Sequence, residues 1–260
     1  MKRLTTVTII ILSLQTLTAQ SEFSLFGSGG ISTLLYSPTV GERQLGFGGN
    51  FGLNYNLRFS ENWSLKMGVG VAMFGSTFSL DHLETRSTEF DIGENTYFEL
   101  RTRMNNYSET LQSLMLQIPL MLQGERFLRN SNRQFYTAFG VKLGIPLSGT
   151  YRSTVGNISH SGFFSFENNE YRDFEEVGFG TFSDVRSDGD VDFNLAIFAS
   201  AEVGMRWWLN SGRSLYTGVF VDFGLNNLHI DRFVASSVRP MAVGFTLRFV
   251  LNREQFLEII

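Results

Sequence analysis

Three histidines are the residues best suited to acid–base chemistry, and each has a potential partner close in sequence. His160 precedes Ser161, and a serine activated by a histidine is a nucleophile for acyl transfer. Asp81 precedes His82, and His229 lies near another aspartate, so either histidine could help to activate a water molecule. Neighbouring residues on a strand point to opposite faces, however, and no carboxylate near His160 is placed to orient its ring. We therefore favour histidines in solvated loops and predict that the protein is not an enzyme.

Four aspartates close to Gly189 form a possible site for a hard metal ion such as Ca²⁺, which prefers oxygen ligands. They are Asp184, Asp188, Asp190 and Asp192. Their spacing does not match an EF-hand loop, and Asp188-Gly189 is a common hairpin-turn signal. We predict a turn and expect no metal ion or other cofactor, with loose recruitment of divalent ions as the alternative.

The segment 150–191 is rich in both acidic and aromatic residues, with eight acidic residues against three basic ones. A disordered loop should contain few aromatic rings, so we predict that this segment folds, as strands that extend beyond the rest of the sheet. Exposed rings in a folded loop indicate a binding surface. The alternative is that the rings pack on each other or on the segment 79–107. The candidate residues are Phe163, Phe164, Phe166, Tyr171, Phe174 and Phe179.

These residues must be positioned by β-strands, because apolar and polar residues alternate along much of the chain. Between Gly46 and Phe59 every odd position is apolar or glycine, and every even position is polar or glycine. A strand points successive side chains to opposite faces, so one face is apolar and the other polar. We predict eight such strands, over residues 22–36, 45–59, 63–78, 108–124, 134–149, 192–209, 214–228 and 239–250.

The connections between these strands alternate between short and long. The segments 60–62, 125–133 and 210–213 are short, whereas 37–44, 79–107, 150–191 and 229–238 are longer. Outer-membrane barrels have an even number of strands, short periplasmic turns and long external loops, whereas a soluble sandwich has no reason to sort its connections. We therefore predict an all-β fold, an eight-stranded antiparallel transmembrane β-barrel at 21–250, with both termini periplasmic and a short tail at 251–260.

Aromatic residues flank the short turns, and uncharged apolar rows such as the one from Phe193 to Trp207 fill the face that we assign to lipid. Aromatic rings prefer the boundary between hydrocarbon and headgroups. The predicted aromatic girdle at the periplasmic rim consists of Phe59, Trp63, Phe135, Trp207, Tyr216 and Phe249.

The opposite face of the strands carries charged residues among glycine, serine and asparagine. An eight-stranded barrel leaves an interior that side chains fill, and buried charges need partners. We favour a network of ion pairs over a relay or a narrow conduit. Because five of these residues are basic and two are acidic, water or exposure at the rim must serve some of the cations. The residues are Arg58, Lys66, Lys142, Glu202, Arg206, Asp222 and Arg248.

The first 20 residues have the features of a secretory signal peptide. Lys2 and Arg3 precede an apolar run at 7–14, and a plausible cleavage region surrounds Ala19. The run is too short to cross a membrane. The chain has no cysteine, so the mature protein uses no disulfides. Its net charge of −4 argues against a nucleic-acid partner, and we expect outer-membrane lipid and lipopolysaccharide around the barrel.

Two predicted strands resemble a known family in amino-acid sequence. Residues 116–122 are LQIPLML, and residues 135–147 are FYTAFGVKLGIPL. They resemble the small outer-membrane β-barrel family of Bacteroidota, whose members are often described as PorT-like or porin-like. The resemblance implies an outer-membrane barrel and brings no catalytic motif. PorT is associated with type IX secretion, so the resemblance makes envelope-assembly or secretion proteins possible partners.

The sequence as a whole predicts a non-enzymatic outer-membrane protein with a structural, surface-binding or envelope-assembly role. A narrow passive pore for small solutes is one alternative. A lipid-modifying enzyme is another, since His160-Ser161 is similar to the histidine–serine pair of lipid A deacylases.

Overall fold

The computed structural model describes residues 21–36, 41–91, 96–128, 133–165, 167–172, 178–209, 213–228 and 238–251. The predicted signal peptide, the tail beyond Leu251, His229, Phe166 and Phe174 lie outside these residues. Every regular element in the described part of the chain is a β-strand. None of these residues forms a helix long and apolar enough to cross a membrane.

The described residues form eleven strands. They are β1 (Ser21–Leu35), β2 (Glu42–Leu45), β3 (Phe47–Arg58), β4 (Trp63–Asp91), β5 (Thr96–Phe127), β6 (Arg133–Phe164), β7 (Asn169–Tyr171), β8 (Gly180–Asp190), β9 (Ala196–Trp208), β10 (Ser214–Gly224) and β11 (Arg239–Leu251).

Eight of these strands form a closed ring in which all neighbours are antiparallel. From β1 the ring runs through β3, β4, β5, β6, β9, β10 and β11. It closes where β11 pairs with β1, from Phe23 opposite Leu251 to Leu35 opposite Arg239. The short strands lie outside the ring, β2 on β4 and both β7 and β8 on β6. The predicted eight-stranded antiparallel barrel is confirmed.

Three ring strands continue past the ring as a second sheet. β4 and β5 stay paired as far as Asp91 opposite Thr96, β6 follows β5, and β8 adds a fourth strand along β6. We call residues 80–91, 96–107, 150–164 and 180–190 the distal sheet. The prediction of a connecting loop at 79–107 was wrong. The outward residues from Gly75 to Asp81 are polar or small, so the apolar alternation stops although the backbone pairing continues.

The outer face of the ring is an exposed apolar band. Phe51 is 68% exposed, Ile118 40% and Phe245 74%, whereas the side chains that alternate with them point inward. On β4 the band extends from Trp63 to Met73. About ten residues at about 3.3 Å each, tilted by about 40°, give a height of about 25 Å, which matches the apolar band of an outer-membrane barrel.

The interior of the ring is filled in two layers. The layer next to the termini is charged and is described below. The layer next to the distal sheet is a cluster of buried apolar side chains, in which the rings of Phe74 and Phe198 stack with their centroids 5.6 Å apart. We call this cluster the apolar plug. It consists of Leu34, Tyr36, Ala72, Phe74, Phe78, Leu111, Met115, Val191, Phe193, Ala196, Phe198, Leu228, Val238 and Ala242.

Phe193 does not face lipid, in contrast to the prediction. The strand β9 begins at Ala196, and the segment 191–195 before it has no regular structure. The alternation of the strand therefore does not continue through this segment, and Phe193 is buried in the apolar plug.

Candidate functional site

The charged layer next to the termini is organised around Arg206 of β9. Its Nη2 donates to Glu22 Oε1 at 2.7 Å, and its Nη1 donates to Glu125 Oε2 at 3.1 Å. Arg58 donates to the same Glu125 oxygen at 2.9 Å, and Tyr216 donates its hydroxyl to Glu125 Oε1 at 2.6 Å. Two arginines and two carboxylates from four strands therefore hold one end of the barrel together.

Two further ion pairs cross the middle of the barrel. Lys66 of β4 pairs with Glu202 of β9, which also accepts a hydrogen bond from Tyr136 at 2.7 Å. Lys142 of β6 donates to Asp222 of β10 at 2.7 Å, and the second Asp222 oxygen accepts from a serine hydroxyl. Each pair joins strands that are not neighbours in the ring, so these contacts cross the interior and link strands that share no backbone hydrogen bonds.

The charged layer thus brings together all seven charged residues that the sequence assigned to the interior. Their partners Glu22 and Glu125 were missed. Glu22 is the second residue of β1, and Glu125 falls in a predicted turn, since β5 continues to Phe127 and not to residue 124. The alternation of strand faces would have identified both residues. Glu22 is two residues from the inward Ser24 and Glu125 is two residues from the inward Gln123, so each pair faces the same side. With these two acids included, the interior holds five basic and four acidic residues, and not five and two as the sequence suggested.

The predicted aromatic girdle is found in part at the end of the ring that carries the termini. Phe59, Trp63 and Phe135 are exposed there, and Trp207 and Phe249 are partly buried. Tyr216 was assigned wrongly. Its side chain is fully buried in the interior, where its ring packs edge-on against Tyr136 and its hydroxyl serves the charged layer. The even-numbered residues of β10 face inward, so Tyr216 cannot face lipid.

One face of the distal sheet carries a second network of charges. Arg103 Nη1 donates to Glu170 Oε1 at 3.0 Å and its Nε to Glu84 Oε2 at 3.2 Å. Hydrogen bonds from Ser161 and Arg172, supported by Arg103, lower the pKa of Glu170 to about 2. Hydrogen bonds from Arg86 and Arg103 also lower the pKa of Glu84. The network ties β4, β5, β6 and β7 together above the ring.

The candidate aromatic residues of segment 150–191 pack largely on each other and on β5. Phe164 stacks on Phe98 at 5.1 Å and meets Tyr171 edge-on at 5.6 Å. The guanidinium carbon of Arg101 lies over the Phe163 ring, 4.3 Å from the ring centre. The expectation that Phe179 is exposed was wrong, because it is 5% exposed and its ring packs edge-on against Phe98. These contacts match the packing alternative for these rings.

The histidines form no catalytic pair in the described residues. His160 Nδ1 lies 2.9 Å from the Thr102 hydroxyl, whereas Ser161 donates its hydroxyl to Glu170 at 2.7 Å. The two side chains occupy opposite faces of β6, as adjacent strand residues must. His82 Nδ1 lies 2.7 Å from the side-chain oxygen of Asn105.

The aspartates around Gly189 belong to strand β8 and its end. Asp188 pairs in register with Arg152, and Asp190 with Thr150. Asp184 lies within β8 and has a φ of 53°. Within the part of the chain that the structure describes, no three histidine or acidic side chains come together in a group that could hold a metal ion.

A comparison with protein families agrees with this architecture. The family described as "Outer membrane protein beta-barrel domain" matches residues 15–229. No curated protein matches the chain.

Several solved structures are similar at low sequence identity. Neisserial surface protein A is 11% identical, with a TM-score of 0.35 and coverage of 88% of this chain and 95% of that one. A major outer membrane protein from Thermus thermophilus is 12% identical, with a TM-score of 0.35 and coverage of 89% and 100%. The outer membrane protein OprG from Pseudomonas aeruginosa is 12% identical, with a TM-score of 0.32 and coverage of 89% and 97%.

Proposed function

Since the chain belongs to the outer membrane protein beta-barrel family, we propose that it is a non-enzymatic surface-binding protein, in which the ring is the anchor and the distal sheet binds a partner protein. The observation that carries this proposal is the continuation of β4, β5 and β6 beyond the apolar band. From Gly75 to Asp91, β4 adds roughly 55 Å of strand at about 3.3 Å per residue. A barrel that served only as a filled membrane anchor would not need this sheet.

The proposed orientation places the distal sheet outside the cell and both termini in the periplasm. The segments that join β3 to β4 and β9 to β10 are short and lie at the end of the ring that carries the termini. Short turns and chain termini are periplasmic in barrels with an even number of strands.

The outward face of the distal sheet offers an apolar row for a partner. Leu83, Met104, Ile158 and Phe182 are opposite one another across its four strands. We call these four residues the lateral row. Phe182 is 49% exposed and the others are partly buried. Apolar side chains collected on a protein surface above the membrane favour contact with another protein.

The row points sideways from the barrel, so the proposed partner stands beside the protein in the same membrane. This geometry favours a subunit of an envelope assembly, such as a secretion or assembly component. The resemblance to PorT-like barrels supports the same partner class.

A narrow pore and a lipid-modifying enzyme receive less support. The apolar plug and the charged layer fill the two halves of the interior, which disfavours solute passage. His160 is hydrogen-bonded to Thr102 on one face of β6, and Ser161 is hydrogen-bonded to Glu170 on the other. This arrangement disfavours acyl transfer by the pair.

The test is purification of the tagged protein in mild detergent at native expression, followed by mass spectrometry of bound proteins. We expect a stoichiometric partner that Phe182→Gln removes. Val185→Gln is the matched control, because Val185 is 37% exposed on the same strand but faces the other side of the sheet. Isolation without a partner, or retention of the partner by Phe182→Gln, would refute the proposal.

A further inference from the structure

Arg248 of β11 is the cation of the charged layer that forms no ion pair or hydrogen bond with a carboxylate among the described residues. Its side chain lies in the barrel interior and the residue is 1% exposed. None of its three guanidinium nitrogens has a hydrogen-bond partner among the residues that the structure describes. A buried guanidinium without a direct ion pair is costly, so its surroundings must explain how it is tolerated.

The carboxylates nearby are already engaged. Glu202 accepts from Lys66 and Tyr136, and Asp222 accepts from Lys142 and a serine hydroxyl. The remaining acids of the charged layer, Glu22 and Glu125, are bound by Arg58 and Arg206. Five cations therefore share four carboxylates, and the excess positive charge lies at Arg248.

Two tyrosine rings provide part of the compensation. The guanidinium carbon of Arg248 lies 3.9 Å from the ring centre of Tyr216 and 5.4 Å from that of Tyr136. A ring face attracts a cation, but it accepts no hydrogen bond in the guanidinium plane. The five N–H groups of Arg248 point outward in that plane, so the stacking leaves them unsatisfied.

Arg248 also lines an internal cavity. The part of the cavity that the centre of a water molecule can reach has a volume of about 20 Å³. This is room for about one particle of the size of water. Lys66 and Lys142 line the same cavity. Three amide side chains on its wall each have one atom without a hydrogen-bond partner in the described residues, namely the nitrogen of Gln117 and the oxygens of Asn50 and Asn54. A polyatomic anion such as sulfate is too large for this space.

We propose that this cavity binds one small monovalent inorganic anion of the chloride class, held by the Arg248 guanidinium and the Gln117 amide. The anion neutralises the excess charge of the layer and accepts the hydrogen bonds that the tyrosine rings leave unmade. Glu202 on the cavity wall does not oppose the anion, because Lys66 neutralises it. The site is independent of the proposed partner binding by the distal sheet.

Bromide is the probe for the first test, because it replaces chloride and scatters anomalously. The mature chain is refolded from urea into detergent in sodium bromide and crystallised from the same salt. We expect an anomalous peak in the cavity beside Arg248 in the wild-type protein. Density without anomalous signal at this position would show that water fills the cavity and would overturn the proposal.

The second test compares thermal unfolding in sodium chloride and in sodium gluconate at equal ionic strength. We expect the wild-type protein to unfold at a temperature several degrees higher in chloride. Arg248→Gln should abolish this difference, and Gln117→Leu, which keeps the arginine, should reduce it. Arg101→Gln in the distal sheet is the control, because it removes a paired cation outside the charged layer, and it should keep the chloride response. Equal unfolding temperatures in the two salts, or a full response in Arg248→Gln, would refute the site.

Discussion

At the scale of single residues, the buried pair of Lys66 and Glu202 gives a sharp test of the charged layer. Each side chain is 6% exposed. Lys66→Met leaves the Glu202 carboxylate without its partner, and we expect the free energy of unfolding to fall by about 3 kcal/mol, since an uncompensated buried charge is costly. Urea unfolding in detergent, followed by gel mobility, measures the loss.

The double variant Lys66→Met with Glu202→Gln is the control for this pair. It removes both charges, so we expect it to recover most of the stability that the single variant loses. A single variant as stable as the wild type would mean that the pair is not buried in the way described.

Glu170 of β7, the short strand beside the distal sheet, gives a prediction about pH. Its pKa in the folded protein is lowered to about 2, chiefly by the hydrogen bonds from Ser161 and Arg172. The contacts of the carboxylate therefore stabilise the sheet fully above pH 4.5, the ordinary value, and this stabilisation is lost as the pH falls toward 2. An NMR titration of labelled glutamate should place the Glu170 midpoint in that low range.

Ser161→Ala tests the cause of this shift. It removes the largest contribution, so the Glu170 midpoint should move up toward the ordinary value while the fold is retained. An unchanged midpoint would show that the arginines alone set the ionisation of Glu170.

At the scale of the strands, the two faces of the ring differ in what they tolerate. Ile118 lies in the exposed apolar band of β5, and Asn54 of β3 is buried in the interior. Ile118→Arg places a charge in hydrocarbon at a cost of about 2–4 kcal/mol, so we expect poor membrane insertion. Asn54→Ser should insert normally. The yield of heat-modifiable protein in outer-membrane fractions measures both, and equal yields would contradict the face assignment.

The alternation of residue types was enough to predict the eight ring strands, because lipid on one side and a filled interior on the other impose a period of two. It was not enough where that contrast disappears. Beyond Phe78, as far as Phe90, no side chain of β4 is buried on either face, so polar residues on both faces resembled a loop. The alternation of strand faces alone was enough to place the seven charged residues in the interior, but it did not predict which of them pair. Which carboxylate meets Arg206 depends on how strands from opposite walls are aligned, and a single sequence does not contain that alignment.

At the scale of the whole molecule, the filled interior predicts a closed barrel. We expect the purified protein to show no steady conductance in planar lipid bilayers, because the apolar plug excludes hydrated ions. Removing the stacked rings in Phe74→Ala with Phe198→Ala should produce small, irregular currents, whereas Ile145→Ala on the outer face should not. A large ohmic conductance of the wild-type protein would contradict this prediction and favour the pore.

The contact between Arg206 and Glu22 links residues that are 184 positions apart in the chain. Contacts of such long range form late in folding, after the entropy of closing the intervening loop has been lost. The seam between β1 and β11 has the same property, since it joins the two ends of the barrel. Interactions that form only at closure stabilise the native state more than the transition state and mainly slow unfolding. The contact between Arg206 and Glu22 therefore acts chiefly on the lifetime of the folded protein, keeping β1 joined to β9 long after the barrel has closed.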